Sequence, residues 1–117
     1  MRRTLLGLRN VKGVRLALVA TDEGVLAASE GIGGGQPETV AALASRFLSA
    51  GRRAFEEAGR PRPARAELRG SEGRLILWDL EGAFLGVLVA RDCGPEIEAS
   101  LESARSRLAA AWNMATV

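Results

Sequence analysis

At 117 residues the chain is long enough for one domain that buries roughly two thirds of its unfolded surface, and residues 1–117 read as that single domain. Its formal net charge is only +2, with nearly all the basic residues Arg, which identifies no class of partner. A single cysteine, Cys93, rules out an internal disulfide framework, and the lack of His removes Cys/His zinc patterns and His-based catalysis. The first helical candidate is Arg2 to Arg9, where Leu5, Leu6 and Leu8 can cap a core edge; Arg9 and Lys12 interrupt any signal-peptide apolar segment. The longest apolar run, Ala83 to Ala90, is far short of the ~18 residues of a membrane span, so a cytoplasmic protein is expected.

Gly13 to Ala20 is apolar on both faces, with Val14, Leu16 and Leu18 on one and Ala17 and Val19 on the other, so it reads as an interior strand. Thr21-Asp22-Glu23-Gly24 turns the chain, and Val25 to Ser29 returns as a hairpin partner. Gly31-Ile32-Gly33-Gly34-Gly35 then reads as a flexible lead-in to a long helix from Pro37 to Ala58, which Gly59, Pro61 and Pro63 terminate. Along that helix Val40, Leu43, Ala44, Phe47, Leu48, Gly51, Ala54, Phe55 and Ala58 recur at three- and four-residue steps, the apolar stripe expected to lie on a core. Beside it, Ala41, Ala42, Ser45 and Ser49 form a ridge of small residues over which a second backbone can pass closely. The ridge reads either as the seat of another copy of the chain, which Ser45→Arg would wedge away, or as ordinary helix surface.

The second half is a strand meander. Ala64 to Arg69 alternates small or apolar with charged residues, and Ser71-Glu72-Gly73 turns the chain into Arg74 to Leu80. Glu81-Gly82 turns it again into Phe84 to Arg91, apolar on both faces. Gly94-Pro95 opens a final helix with Ile97, Leu101, Ala104, Leu108 and Trp112 in phase, and both tryptophans and all three phenylalanines fall at core-compatible positions. Hairpin turns join the first strand to the second and the third to the fourth and fifth, and the two doubly apolar strands must be interior. The expected sheet is antiparallel with order 2-1-5-4-3 and an exposed third strand. With the long helix on one face and the terminal helices on the other, the fold class is α+β, a three-layer α/β/α sandwich with element order α-β-β-α-β-β-β-α.

This order of elements resembles the roadblock / dynein light chain family, a profilin-like topology. The resemblance rests on Val11-Lys12-Gly13-Val14 before the first strand, Asp22-Glu23-Gly24-Val25-Leu26-Ala27 at the first hairpin and Gly86-Val87-Leu88-Val89 in the fifth strand. It covers nearly the whole chain, with a first helix shorter and a glycine run longer than the family pattern. It implies a homodimer whose third strands pair into one ten-stranded sheet with the long helices packed across the two-fold axis. It also implies a non-catalytic scaffold or regulator of a small Ras-like GTPase, as in bacterial MglB-type domains. The interface so implied comprises Ala41, Ala42, Ser45, Ser49 and Arg52 of the helix with Arg65, Ala66, Glu67, Leu68 and Arg69 of the edge strand. A two-fold axis at Glu67 would set Arg65 against Arg69, whereas an axis at Ala66 or Leu68 sets an Arg against Glu67, so the latter are expected.

No residue pattern argues for catalysis or for a cofactor or metal. The Gly31 to Gly35 run lacks the Lys and Ser/Thr of a phosphate loop and misses dinucleotide-binding spacing. Cys93 has no nearby His or Lys to act as its base and reads as a spare thiol. The carboxylates Asp22, Glu23, Glu72 and Glu81 sit in hairpin tips, where they serve turns. The tract Arg52, Arg53, Arg60, Arg62, Arg65 and Arg69 suits an acidic protein partner or solvent better than nucleic acid, since it lacks exposed aromatics for stacking on bases. The function expected is a GTPase-regulating interaction module; the alternative is a small-molecule-sensing or general scaffold domain.

Overall fold

The computed structural model describes residues 2–31, 33, 35–91 and 97–116. Cys93, Gly94, Pro95 and the Ile32 and Gly34 members of the glycine run lie outside the described residues. The elements are α1 (Arg2–Arg9), β1 (Val14–Thr21), β2 (Leu26–Gly31), α2 (Pro37–Glu57), β3 (Arg65–Arg69), β4 (Gly73–Asp79), β5 (Ala83–Ala90) and α3 (Ile97–Thr116). The strands form one antiparallel sheet in the order β2-β1-β5-β4-β3.

The apolar character of β1 and β5 dictates the layering. A strand apolar on both sides needs cover on both sides, and two separate clusters provide it. Toward α2, Leu16, Leu18, Ala20, Leu77 and Phe84 pack with Ala41, Ala44 and Leu48. On the other face, Ala17, Val19, Ile76, Trp78, Leu85, Val87 and Val89 pack with Leu5 and Leu8 of α1 and with Ile97, Leu101, Ala104 and Leu108 of α3. The β4–β5 hairpin closes through a two-residue turn in which Glu81 and Gly82 both have positive φ, 61° and 92°, the backbone that matches the right-handed twist of the flanking strands.

Two local expectations are corrected. β2 runs on to Gly31, so the first glycine of the run is a strand residue lying against β1. A Cβ there would sit 2.5 Å from the Arg15 carbonyl oxygen and 2.7 Å from the Leu16 Cα. Close backbone approach, and not flexibility, requires this glycine.

The second correction is the rotational phase of α2. Its buried residues are Ala41, Ala44, Ser45 and Leu48, while Leu43 is 59% and Phe55 44% exposed. Ala41 and Ser45 of the small-residue ridge therefore face the chain's own sheet beside Ala44 and Leu48, while Ala42 and Ser49 of the ridge and Leu43 and Phe55 of the apolar stripe face outward. The reason is close contact with the β1–β2 hairpin. A Cβ on Gly24 (φ +91°) would meet the Ser45 Cβ at 3.1 Å and the Ala42 Cα at 3.2 Å, and the Ser45 hydroxyl donates to the Asp22 carbonyl oxygen at 2.6 Å. The close approach that small residues permit is realised between α2 and the β1–β2 hairpin of the same chain.

Candidate interaction surface

Among the described residues β3 pairs only with β4, from Arg65 opposite Trp78 to Arg69 opposite Arg74, and all of its residues except Ala66 are exposed. Its alternation assigns the two faces. Ala66 packs with the cluster under α2, and Leu68, opposite Leu75, is 54% exposed on that same side. Arg65, Glu67 and Arg69 point to the other side, where the Arg65 guanidinium lies 5.2 Å from the centre of the Trp78 ring. The sheet's other edge is guarded. Its register with β1 slips between Val19 and Ala20, leaving Ala27 as a bulge, and Glu30 is tied to Arg2 and Arg9 at 3.8 and 3.6 Å. Bulges and charges of this kind discourage strand addition.

Because α2 sits over β1 with Ala41, Ala44, Ser45 and Leu48 inward, the sheet beyond it is left partly uncovered. A groove of about 1000 Å³ runs there, walled by Val40, Leu43 and Phe47 of α2 and floored by Leu68, Leu75 and Leu88, with Arg15, Arg69 and Glu72 also lining it. Exposed apolar surface beside an unpaired strand edge is a combination that soluble domains cover or use.

Two ion clusters fix the surroundings. In the first, Arg52 of α2 donates to the Asp79 carboxylate at 3.0 Å and lies 3.3 Å from that of Asp22. Arg62 donates to Asp79 through Nε at 2.9 Å and approaches Asp22 at 3.6 Å. The helix, the loop after it and two hairpin ends are thus tied at one point. In the second, Arg65 donates to both Glu98 carboxylate oxygens at 3.0 and 3.2 Å, and Arg74 donates to Glu67 at 3.0 Å while lying 3.5 Å from Glu98. The hydrogen bond from Arg65 holds the Glu98 carboxyl below its ordinary range, and the same bond raises Arg65.

The expected interface residues separate accordingly. Ala41 and Ser45 face the sheet of their own chain, and Ser45→Arg would unseat α2 before it touched a second copy. Arg52 belongs to the first ion cluster. Ala42 and Ser49 are exposed on α2, and Arg65 to Arg69 form the open edge. Of the basic tract, Arg52, Arg62, Arg65 and Arg69 each lie within ion-pair distance of a carboxylate, which reduces the field offered to an outside partner. Sequence reasoning missed Asp79 and the outward face of Leu43. The signal for the first was Arg52, which shares a helical face with Ala41, Ser45 and Leu48 and so had to reach an acid beneath the helix. Among the described residues no cluster of His, Cys, Asp or Glu could hold a metal ion, and no helix is long and apolar enough to cross a membrane.

Fold and surface together define a small α+β domain with an apolar groove between one strand edge and one helix flank. The chain matches the Roadblock/LC7 domain family over residues 2–89 and belongs to it. Among solved structures it is similar to a Roadblock/LC7 domain from Streptomyces avermitilis, with 20% identity, 99% of this chain and 97% of that one covered, and a TM-score of 0.84. It is similar to the gliding protein MglB from Thermus thermophilus, with 18% identity, 92% and 84% coverage and a TM-score of 0.80. Myxococcus xanthus MglB gives 13% identity, 96% and 90% coverage and a TM-score of 0.80. At these identities the likeness is one of fold. No curated protein matches the chain.

Proposed function

We propose that this chain is a non-catalytic regulatory interaction module that acts in the cytoplasm as a homodimer and binds a small Ras-like GTPase, within a bacterial signalling, polarity or motility system. The observation that carries the reading is the apolar groove continuous with the unpaired β3 edge. One second copy meets both needs at once, β3 extending the sheet across a two-fold axis and Leu43, Phe47 and Leu68 becoming covered. Membership of the Roadblock/LC7 family supports this. So do the fold neighbours, one named as a gliding protein and another MglB solved in a tetrameric arrangement. The helix contribution to the interface is Leu43 and Phe47 with exposed Ala42 and Ser49; the strand contribution is Arg65, Ala66, Glu67, Leu68 and Arg69.

Sedimentation at micromolar concentration should give a dimer, and Leu43→Asp should give a folded monomer, because Leu43 adds little to the chain's own core. Affinity capture from lysate of the source organism, run with a GTP analogue and with GDP, should recover a Ras-like GTPase preferentially in one nucleotide state. Absence of any GTPase in both runs would overturn GTPase regulation. The groove's volume is also that of a small-molecule site. A monomer that takes up an amphipathic anion there would favour the ligand-sensing alternative.

A further inference from the structure

We infer that a second copy of the chain adds to β3 in one register, antiparallel with the two-fold axis through Leu68, so that Leu68 meets Leu68 and Glu67 meets Arg69 of the other copy. This rests on the homodimer reading above and adds to it the alignment of the strands.

The backbone narrows the choice first. In an antiparallel pair, residues alternate between those that exchange hydrogen bonds with the neighbouring strand and those whose N–H and C=O point away from it. At one end of β3 the Asp79 N–H donates to the Ala64 carbonyl, and at the other the Gly70 N–H donates to the Gly73 carbonyl. The register between them is unbroken. Ala64, Ala66, Leu68 and Gly70 therefore turn their backbone groups toward β4, and Arg65, Glu67 and Arg69 turn theirs to the open edge. A second copy can bond this edge only by setting odd-numbered residues against odd-numbered residues. The axis then passes through a residue and never between two, and the central candidates are Ala66, Glu67 and Leu68.

Side chains decide among the three. An axis at Glu67 sets Glu67 against Glu67 and Arg65 against Arg69, like charge on like charge. An axis at Ala66 sets Glu67 against Arg65, but the Arg65 head is already engaged by both Glu98 oxygens and the Trp78 ring. It also brings Arg69 opposite Pro63, which has no N–H to donate. An axis at Leu68 avoids both difficulties. Glu67, which also accepts from Arg74 at 3.0 Å, then faces Arg69, whose side chain is 72% exposed and is held in its own chain only by a 3.8 Å approach to Glu67, so Arg69 gives up less than Arg65 would in reaching across. Leu68 meets its counterpart as a non-hydrogen-bonded pair, the type in which side chains come closest, at the floor of the groove.

Cysteine cross-linking reads the axis directly. In a Cys93→Ser background, Ala66→Cys, Glu67→Cys and Leu68→Cys would each be oxidised with copper phenanthroline and run on non-reducing gels, with sedimentation in parallel. With the axis at Leu68, the two Leu68 Cα atoms lie about 4.5 Å apart, inside the range a disulfide spans. The two Glu67 Cα atoms lie roughly 8 Å apart and the two Ala66 farther still. Leu68→Cys should cross-link at least tenfold faster than the other two, and its exposure in the single chain makes the substitution compatible with folding. Faster cross-linking of Ala66→Cys or Glu67→Cys would overturn the register. No cross-linking in a protein that sediments as a dimer would overturn β3 pairing while sparing dimerisation. Sedimentation of the parent as a monomer would overturn the homodimer reading itself.

Discussion

Arg52→Met should cost about 2 kcal/mol of folding stability, an estimate bounded by the cost of breaking buried and exposed ion pairs. The Arg52 side chain is 16% exposed and that of Asp79 12%, close to the buried case, where removing one partner costs about 3–5 kcal/mol. Two features lower the figure. Arg62 stays with Asp79 and Asp22 after Arg52 is gone, and Arg52 Nε is buried without a hydrogen-bond partner, so one unsatisfied group leaves with it. Methionine keeps the packing of the aliphatic stem. For a chain of this length ~2 kcal/mol corresponds to a melting point lower by about 8 °C. Urea unfolding followed by circular dichroism, at one fixed protein concentration and in both 0.1 and 0.5 M salt, measures the cost. The loss should change little with salt because the pair is shielded. Arg62→Ala, half-exposed in the parent, should cost no more than about 1 kcal/mol. An Arg52→Met chain within about 0.5 kcal/mol of the parent, or an Arg62→Ala chain as unstable as Arg52→Met, would refute the shielded tie.

Glu81→Asn should stabilise the chain by about 0.5–1 kcal/mol, since Glu81 holds φ 61° in a turn that Asn-Gly suits better; a thermal melt checks it. Gly31→Ala should destabilise by about 1–3 kcal/mol, because backbone atoms of Arg15 and Leu16 occupy the place of its Cβ, and an unchanged urea midpoint would contradict the close approach. The Glu98 carboxyl is held low in the folded chain, so its contribution is present above the ordinary glutamate value of 4.5 and is lost as pH falls through the lower folded value. Glu98→Gln should therefore flatten the acid limb of stability below about pH 4.5, by no more than about 0.5 kcal/mol given the exposure of the pair, while the parent and variant stay parallel from about pH 6 to 8.

Sequence periodicity carried the sheet because β1 and β5 announce themselves: Leu16 to Ala20 and Phe84 to Val89 are apolar on both faces and leave no place but the interior. The strand order follows from that and from the hairpin turns, and the structure has it as expected. The phase of α2 was harder to read. Its stripe of large apolar residues and its ridge of small ones are neighbours on the helix, and hydrophobicity alone favours the larger. What turns the helix is specific contact across many residues of sequence, the Ser45 hydroxyl on the Asp22 carbonyl and Arg52 on Asp79, and no local pattern records an acid 27 positions away. For the same reason Phe55, placed in the core by its spacing, lies partly in solvent. The open edge strand was legible from its alternation, whereas the engagement of its charges by Arg74 and Glu98 was not.

The asymmetry between the two sheet edges sets a valence. Strand addition at the β2 edge is discouraged by the bulge at Ala27 and the tethered Glu30, which leaves β3 as the open border among the described residues. A particle with a single such border, joined to its twin about a two-fold axis, has none left over. In the proposed dimer, growth by this route would end at two copies, so the edge that serves association would also work against a fibril.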